Sequence, residues 1–131
     1  MHVRDCVTLR GDLATFRPVG EFSTIGPAVD LVAAGIAYAA SQPGVRRMLL
    51  DLRELVGFRP PSIVERYDMM IAWTRAEAGR GIKLAMIARP EMLDPHKFDV
   101  LVASNRGLIG DAFTDEESAL AWLDRWRGAT S

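Results

Sequence analysis

The chain has a single cysteine, Cys6, so it cannot close a disulfide on itself. Its two histidines, His2 and His96, lack Cys or His partners at metal-ligand spacing, and no metal or other cofactor is expected. A surplus of one charge is also missing: 16 Lys and Arg residues against 17 Asp and Glu leave a formal net charge of -1. Without a cationic excess to displace counterions from phosphates, nucleic acid is not an expected partner. The most apolar window, residues 25–40, is too short to span a bilayer and contains Pro27 and Asp30, so no integral membrane segment is expected. The chain turns charged at Arg4 and Asp5 and lacks a signal-peptide apolar core, which predicts a cytoplasmic protein.

Catalytic groups are equally scarce. Chemistry would require a nucleophile with its base, a carboxylate pair or a ligand cluster. Cys6 lies in an alternating segment with no base nearby and reads as a small strand residue. His96, with Asp94 and Asp99, is explained by the polarity of a helix start. The Gly-Leu-Ile-Gly stretch at 107–110 lacks the lysine and the length of a phosphate loop. The expectation is a protein that is not an enzyme.

What is present is the material of one domain, residues 1–131: 49% hydrophobic and 25% charged, a balance that can bury one ordinary core. Two β-rich runs, residues 3–9 and 13–19, flank Arg10-Gly11-Asp12, a hairpin signal, with Pro18 marking an edge or a strand end. Gly26-Pro27 opens a helix through Ala28, Leu31, Val32 and Ile36, stopped at Gln42-Pro43-Gly44. Asp30 is its only charge before the stop, so it should be buried on more than one side. Residues 47–52 are an apolar run with charged ends, as in a central strand covered on both faces. Ser62-Ile63-Val64-Glu65 has capping-box spacing and opens a helix with a stripe of Ile63, Tyr67, Met70, Ile71, Thr74 and Ala78, ending at Gly79.

Residues 82–88 form another apolar strand. Asp94-Pro95 begins a short helix carrying Phe98, Leu101 and Val102, and residues 108–113 make a last strand. Thr114-Asp115-Glu116-Glu117 starts a terminal helix with Ala119, Trp122, Leu123 and Trp126 on one face. The order ββαβαβαβα predicts an α/β fold, with a mixed, mostly parallel sheet of about five strands covered by helices.

Several segments in this order resemble the STAS domain, in its SpoIIAA-like, SEC14-like branch. They are Val19-Gly20-Glu21-Phe22 after the second strand, Asp51-Leu52-Arg53 closing the central strand, and Asn105-Arg106-Gly107 followed by Phe113-Thr114-Asp115-Glu116-Glu117 and Ala119-Leu120-Ala121-Trp122-Leu123. The resemblance implies a regulatory or protein-interaction domain, with a protein partner or self-association. The alternative it implies is a carrier or sensor of a lipid or other apolar small molecule. In the antagonists of that family a serine after the central strand is phosphorylated, in a D-S-S-G setting. Here the stretch is Gly57-Phe58-Arg59-Pro60-Pro61-Ser62-Ile63, and Ser62 aligns only approximately. Ser62 is therefore the candidate phosphoacceptor, where a phosphate would suit a helix N-terminus, and the alternative is a plain N-cap with Glu65 closing the box, which accounts for the serine by itself.

Two further places are singled out. Met69 and Trp73 lie off the stripe of Ile63, Tyr67 and Ile71, and beside Arg66 they could form an exposed apolar patch for a partner, unless the helix is buried more broadly. An apolar ligand would need a pocket between sheet and helices, with Val32, Ile36, Phe98 and Val102 as candidate lining.

Overall fold

The computed structural model describes residues 3–127, apart from the side chains of Phe98, Asp99, Leu101 and Val102. His2 lies outside the described residues. A 3-10 turn, Val3–Cys6, leads into a hairpin of β1 (Val7–Arg10) and β2 (Leu13–Phe16). Its two-residue turn begins at Gly11, whose φ of 60° suits a residue without a side chain. Next come β3 (Gly20–Glu21), α1 (Ile25–Ser41), β4 (Arg47–Asp51), β5 (Leu55–Val56) and α2 (Ile63–Glu77). The chain continues through β6 (Lys83–Ile87), a 3-10 turn at Pro90–Met92, α3 (Phe98–Asn105), β7 (Ile109–Phe113) and α4 (Glu116–Asp124).

Five strands form one sheet in the order β1-β2-β4-β6-β7, antiparallel at β1–β2 and parallel elsewhere, as the alternation of strands and helices predicts. β3 and β5 form a separate parallel ribbon of two residues each. Every residue of β4 is buried, which is what a central strand without alternation requires.

The pleat divides the core in two. Ala14, Phe16, Met48, Leu50, Leu84 and Met86 face α1 and α2 in the larger cluster. Leu49, Ala85 and Ile87 meet Ala119 and Leu123 of α4 in the smaller one. α1 comes close to β2 because position 35 is glycine: a Cβ there would overlap the Phe16 ring.

The elements differ from the sequence expectations in several places. Cys6 belongs to the opening 3-10 turn rather than to a strand, and β2 stops at Phe16 because Pro18, buried two residues on, cannot donate to the ladder. α3 begins at Phe98 rather than Asp94, since Lys97 takes a left-handed conformation (φ 53°) that no α-helix continues through. The buried face of α2 is rotated from the expected stripe. It consists of Arg66, Met69, Met70, Trp73 and Glu77, whereas Ile63 and Tyr67 are 67% and 39% exposed.

Candidate functional site

The parallel strands β4 and β6 end together beneath the first half of α1 and the buried face of α2. The space outside such carboxyl ends is where open α/β sheets commonly leave a crevice. Here it is a half-open apolar cleft with Val29 and Val32 on one wall, Trp73 and Met69 opposite, Met86 at the base and Phe58 at the front. Arg66 is the charged residue of the lining. The Trp73 indole N–H donates to the Val29 carbonyl at 3.1 Å, so the two helix walls are pinned together across the cleft.

The space totals about 520 Å³ when the open mouth is included, but the cavity within it is only about 60 Å³. A site of roughly 150 Å³ is needed to take a benzene-sized group. The tip of an apolar side chain fits; an enclosed acyl chain does not. A second cavity, about 30 Å³, lies between α2, α3 and the β6–β7 edge and shares Trp73 and Met86 with the first.

Arg66, Met69 and Trp73 do come together, but not as an exposed patch. They are 7%, 7% and 3% exposed, because the helix turns them onto the sheet and into the cleft wall. The expected surface patch at these residues is therefore corrected to a buried wall. Of the residues named for a ligand pocket, Val32 lines the cleft, whereas Ile36 is wholly buried in the core behind it. The side chains of Phe98 and Val102 lie outside the described residues.

Ser62 stands exposed at the start of α2. Its Oγ accepts from the Glu65 N–H at 3.2 Å, and Glu65 Oε1 accepts from the Ser62 N–H at 2.8 Å, a complete capping box. Glu65 also takes a bond from Arg59 at 3.1 Å. Its carboxyl is held below the usual range, chiefly by the bond from the Ser62 backbone and also by the Arg59 charge.

The rotation of α2 produces a feature the sequence reading missed. Ile63 and Val64, 67% and 68% exposed, project from the first turn next to Pro61 at the cleft, and Tyr67 follows one turn later. Arg106 Nη2 donates to the Tyr67 hydroxyl at 2.6 Å, and its guanidinium lies 5.4 Å from the ring centroid. Ile63, Val64 and Tyr67 thus form an exposed apolar shoulder on the first turns of α2, on the side turned toward α3 rather than into the cleft, with the Arg106 cation beside Tyr67. Only the helix phase could have signalled it, and the charged ends of the true buried stripe disguise that phase.

On the opposite side of the sheet, Asp51 at the end of β4 accepts from Arg17 at 2.7 Å and from Arg53 at 2.8 and 2.9 Å. Arg17 also pairs with Glu116 in the first turn of α4. This network ties β2, β4 and α4 together and faces away from the cleft. Among the described residues no group of three or more His, Cys, Asp or Glu could hold a metal ion, and no helix is long and apolar enough to cross a membrane.

No family model and no curated protein matches the chain. Among solved structures, the chain is similar to the anti-sigma factor antagonist SpoIIAA in its unphosphorylated form, at 16% identity and a TM-score of 0.49. The alignment covers 92% of this chain and 94% of that one.

Proposed function

We propose that the protein is a non-enzymatic regulatory domain of the STAS type that binds a protein partner on the α2 shoulder. The observation that carries this reading is the run of Ile63, Val64 and Tyr67 exposed together on the first turns of α2, with the Arg106 guanidinium against the Tyr67 ring. Exposed apolar surface bordered by polar and charged groups is a usual form of an interaction site. Arg106 is bonded to a neutral phenol and meets no carboxylate among the described residues, so the partner should offer an acidic group there. The capping box accounts for Ser62, so docking on this reading needs no phosphate.

A photoreactive residue placed at position 64 tests the proposal, with one at exposed Leu120 on α4 as control. A specific cross-linked protein at position 64, lost in Ile63→Glu and rebinding the purified domain, is the expected result. Identical products from both positions would sink the reading. A second reading, a carrier of a lipid or other apolar small molecule, is favoured by the apolar lining of the cleft. It requires the cleft to widen, and native mass spectra of the purified protein with no bound small molecule would count against it.

A further inference from the structure

The two outer edges of the five-stranded sheet are treated differently by the sequence. On β7, the parallel register with β6 turns the main-chain groups of Gly110 and Ala112 outward. The outward Ala112 N–H is occupied: it donates to Asp111 Oδ1 at 2.8 Å, and Lys97 Nζ reaches the same oxygen at 2.8 Å. A side-chain acceptor and a charge pair on the rim are devices that stop a sheet from recruiting another strand.

β1 carries neither device. Arg17 N–H donates to the Cys6 carbonyl at 3.3 Å, and the hairpin register continues as Val7↔Phe16, Thr8↔Thr15, Leu9↔Ala14 and Arg10↔Leu13. In an antiparallel ladder bonded pairs alternate with non-bonded ones, so Thr8 and Arg10 point their main-chain groups at β2. Those of Val7 and Leu9 point away from the sheet, and no described residue pairs with them. The side chains agree. Leu9 shares a face with Ala14, which is wholly buried, yet is itself 44% exposed because no described strand lies beyond the edge.

We infer that the β1 edge is a self-association surface, where a second copy of this chain pairs antiparallel with the first and joins two sheets into one of ten strands. The occupant follows from symmetry. A two-fold axis through Thr8, perpendicular to the sheet, sets Thr8 opposite its counterpart and Val7 opposite the other copy's Leu9. Only pairings between residues of one face are compatible with a continuous pleat, and this register satisfies that. It uses all the outward groups of Val7 and Leu9, about four main-chain hydrogen bonds, and covers Leu9 with Val7. Charge agrees as well. β1 is preceded by exposed Arg4 and Asp5 and ends at exposed Arg10, so antiparallel pairing brings each Arg10 to the Asp5 end of the other strand, away from its twin. The surface is independent of the α2 shoulder and stands or falls separately from it.

The interface is small, so the dimer forms with rising concentration. Sedimentation or light scattering should show the mass doubling across a concentration series. Leu9→Pro removes an N–H that β2 does not use, and Leu9→Lys places a charge on the rim while keeping every main-chain donor; both variants should stay monomeric. Amide exchange gives a second readout: Val7 and Leu9 become protected only as the dimer forms, while Thr8 and Arg10 are protected throughout. A mixed isotope-labelled sample should show the close Hα contact between the two copies of Thr8. A wild-type chain that stays monomeric up to its solubility limit would overturn the inference. So would a dimer that survives in Leu9→Lys with the Leu9 amide of the wild type exchanging freely.

Discussion

Single side chains do two separable jobs at the ends of α2. Glu77, 2% exposed, is there to accept: its two carboxylate oxygens take the Gly79 and Ile82 N–H groups at 3.0 Å each. Glu77→Ala should cost about 2 kcal/mol or more in denaturant unfolding, because among the described residues the Ile82 amide has no other acceptor. At the other end, Ser62→Ala should cost about 1 kcal/mol, the usual worth of an N-cap. A loss of that size with no change in partner binding is expected if Ser62 only caps. Asp51 supplies a pH dependence. The Arg53 hydrogen bonds, opposed by burial and joined by the charge of Arg17, hold its carboxyl below the ordinary 3.8. A depressed carboxylate adds stability that is present above the unfolded value and lost as pH falls through the folded one. Chemical denaturation should therefore show stability declining below about pH 4, more steeply in the wild type than in Asp51→Asn.

At the scale of elements, α2 shows what could and could not be read from residues alone. Its start was legible because a capping box is a local pattern, and Ser62-x-x-Glu65 is complete in three dimensions. Its buried face was not, because that stripe begins with Arg66 and ends with Glu77, and hydrophobic pattern assigns charged residues to solvent. Long side chains that lay their stems on the core, or carboxylates that cap backbone, escape such a count. Met69 and Trp73 were singled out for the wrong surface by the same error of phase. The start of α3 failed for another reason: Asp94-Pro95 is a valid start signal, but the left-handed Lys97 follows it, whereas the stop at Gly107 (φ 86°) was legible. For α1 the informative residue is Gly35. Gly35→Ala should destabilise by about 1–3 kcal/mol in thermal or denaturant unfolding despite its higher helix propensity, since the added methyl must displace the Phe16 ring.

Across the whole molecule, the sheet was legible because the signal for it is redundant. Buried parallel strands, the helices between them and a hairpin before them all specify one layered arrangement. The cleft was not legible, since it depends on how far α1 and α2 stand apart. Order should be graded along the strand sequence: amides of the wholly buried β4 should exchange most slowly and those facing outward on β1 most quickly in the monomer.

The small ribbon of β3 and β5 has a mechanical meaning. It holds the segment after β2 to the segment after β4, the latter carrying Leu55 and Phe58 at the front of the cleft, and it shares no hydrogen-bonded strand with the main sheet. A clasp of that kind can be undone without disturbing the frame it closes. Gly57 sits at its end with φ 103°, and a Cβ there would stand 2.6 Å from the Phe22 carbonyl oxygen. Gly57→Ala should spread the clasp while leaving the far-ultraviolet spectrum unchanged. Trp73 emission would then shift to longer wavelength and become easier to quench with acrylamide. The width of the crevice would in that case be set by a hinge of a few residues, adjustable in evolution independently of the fold.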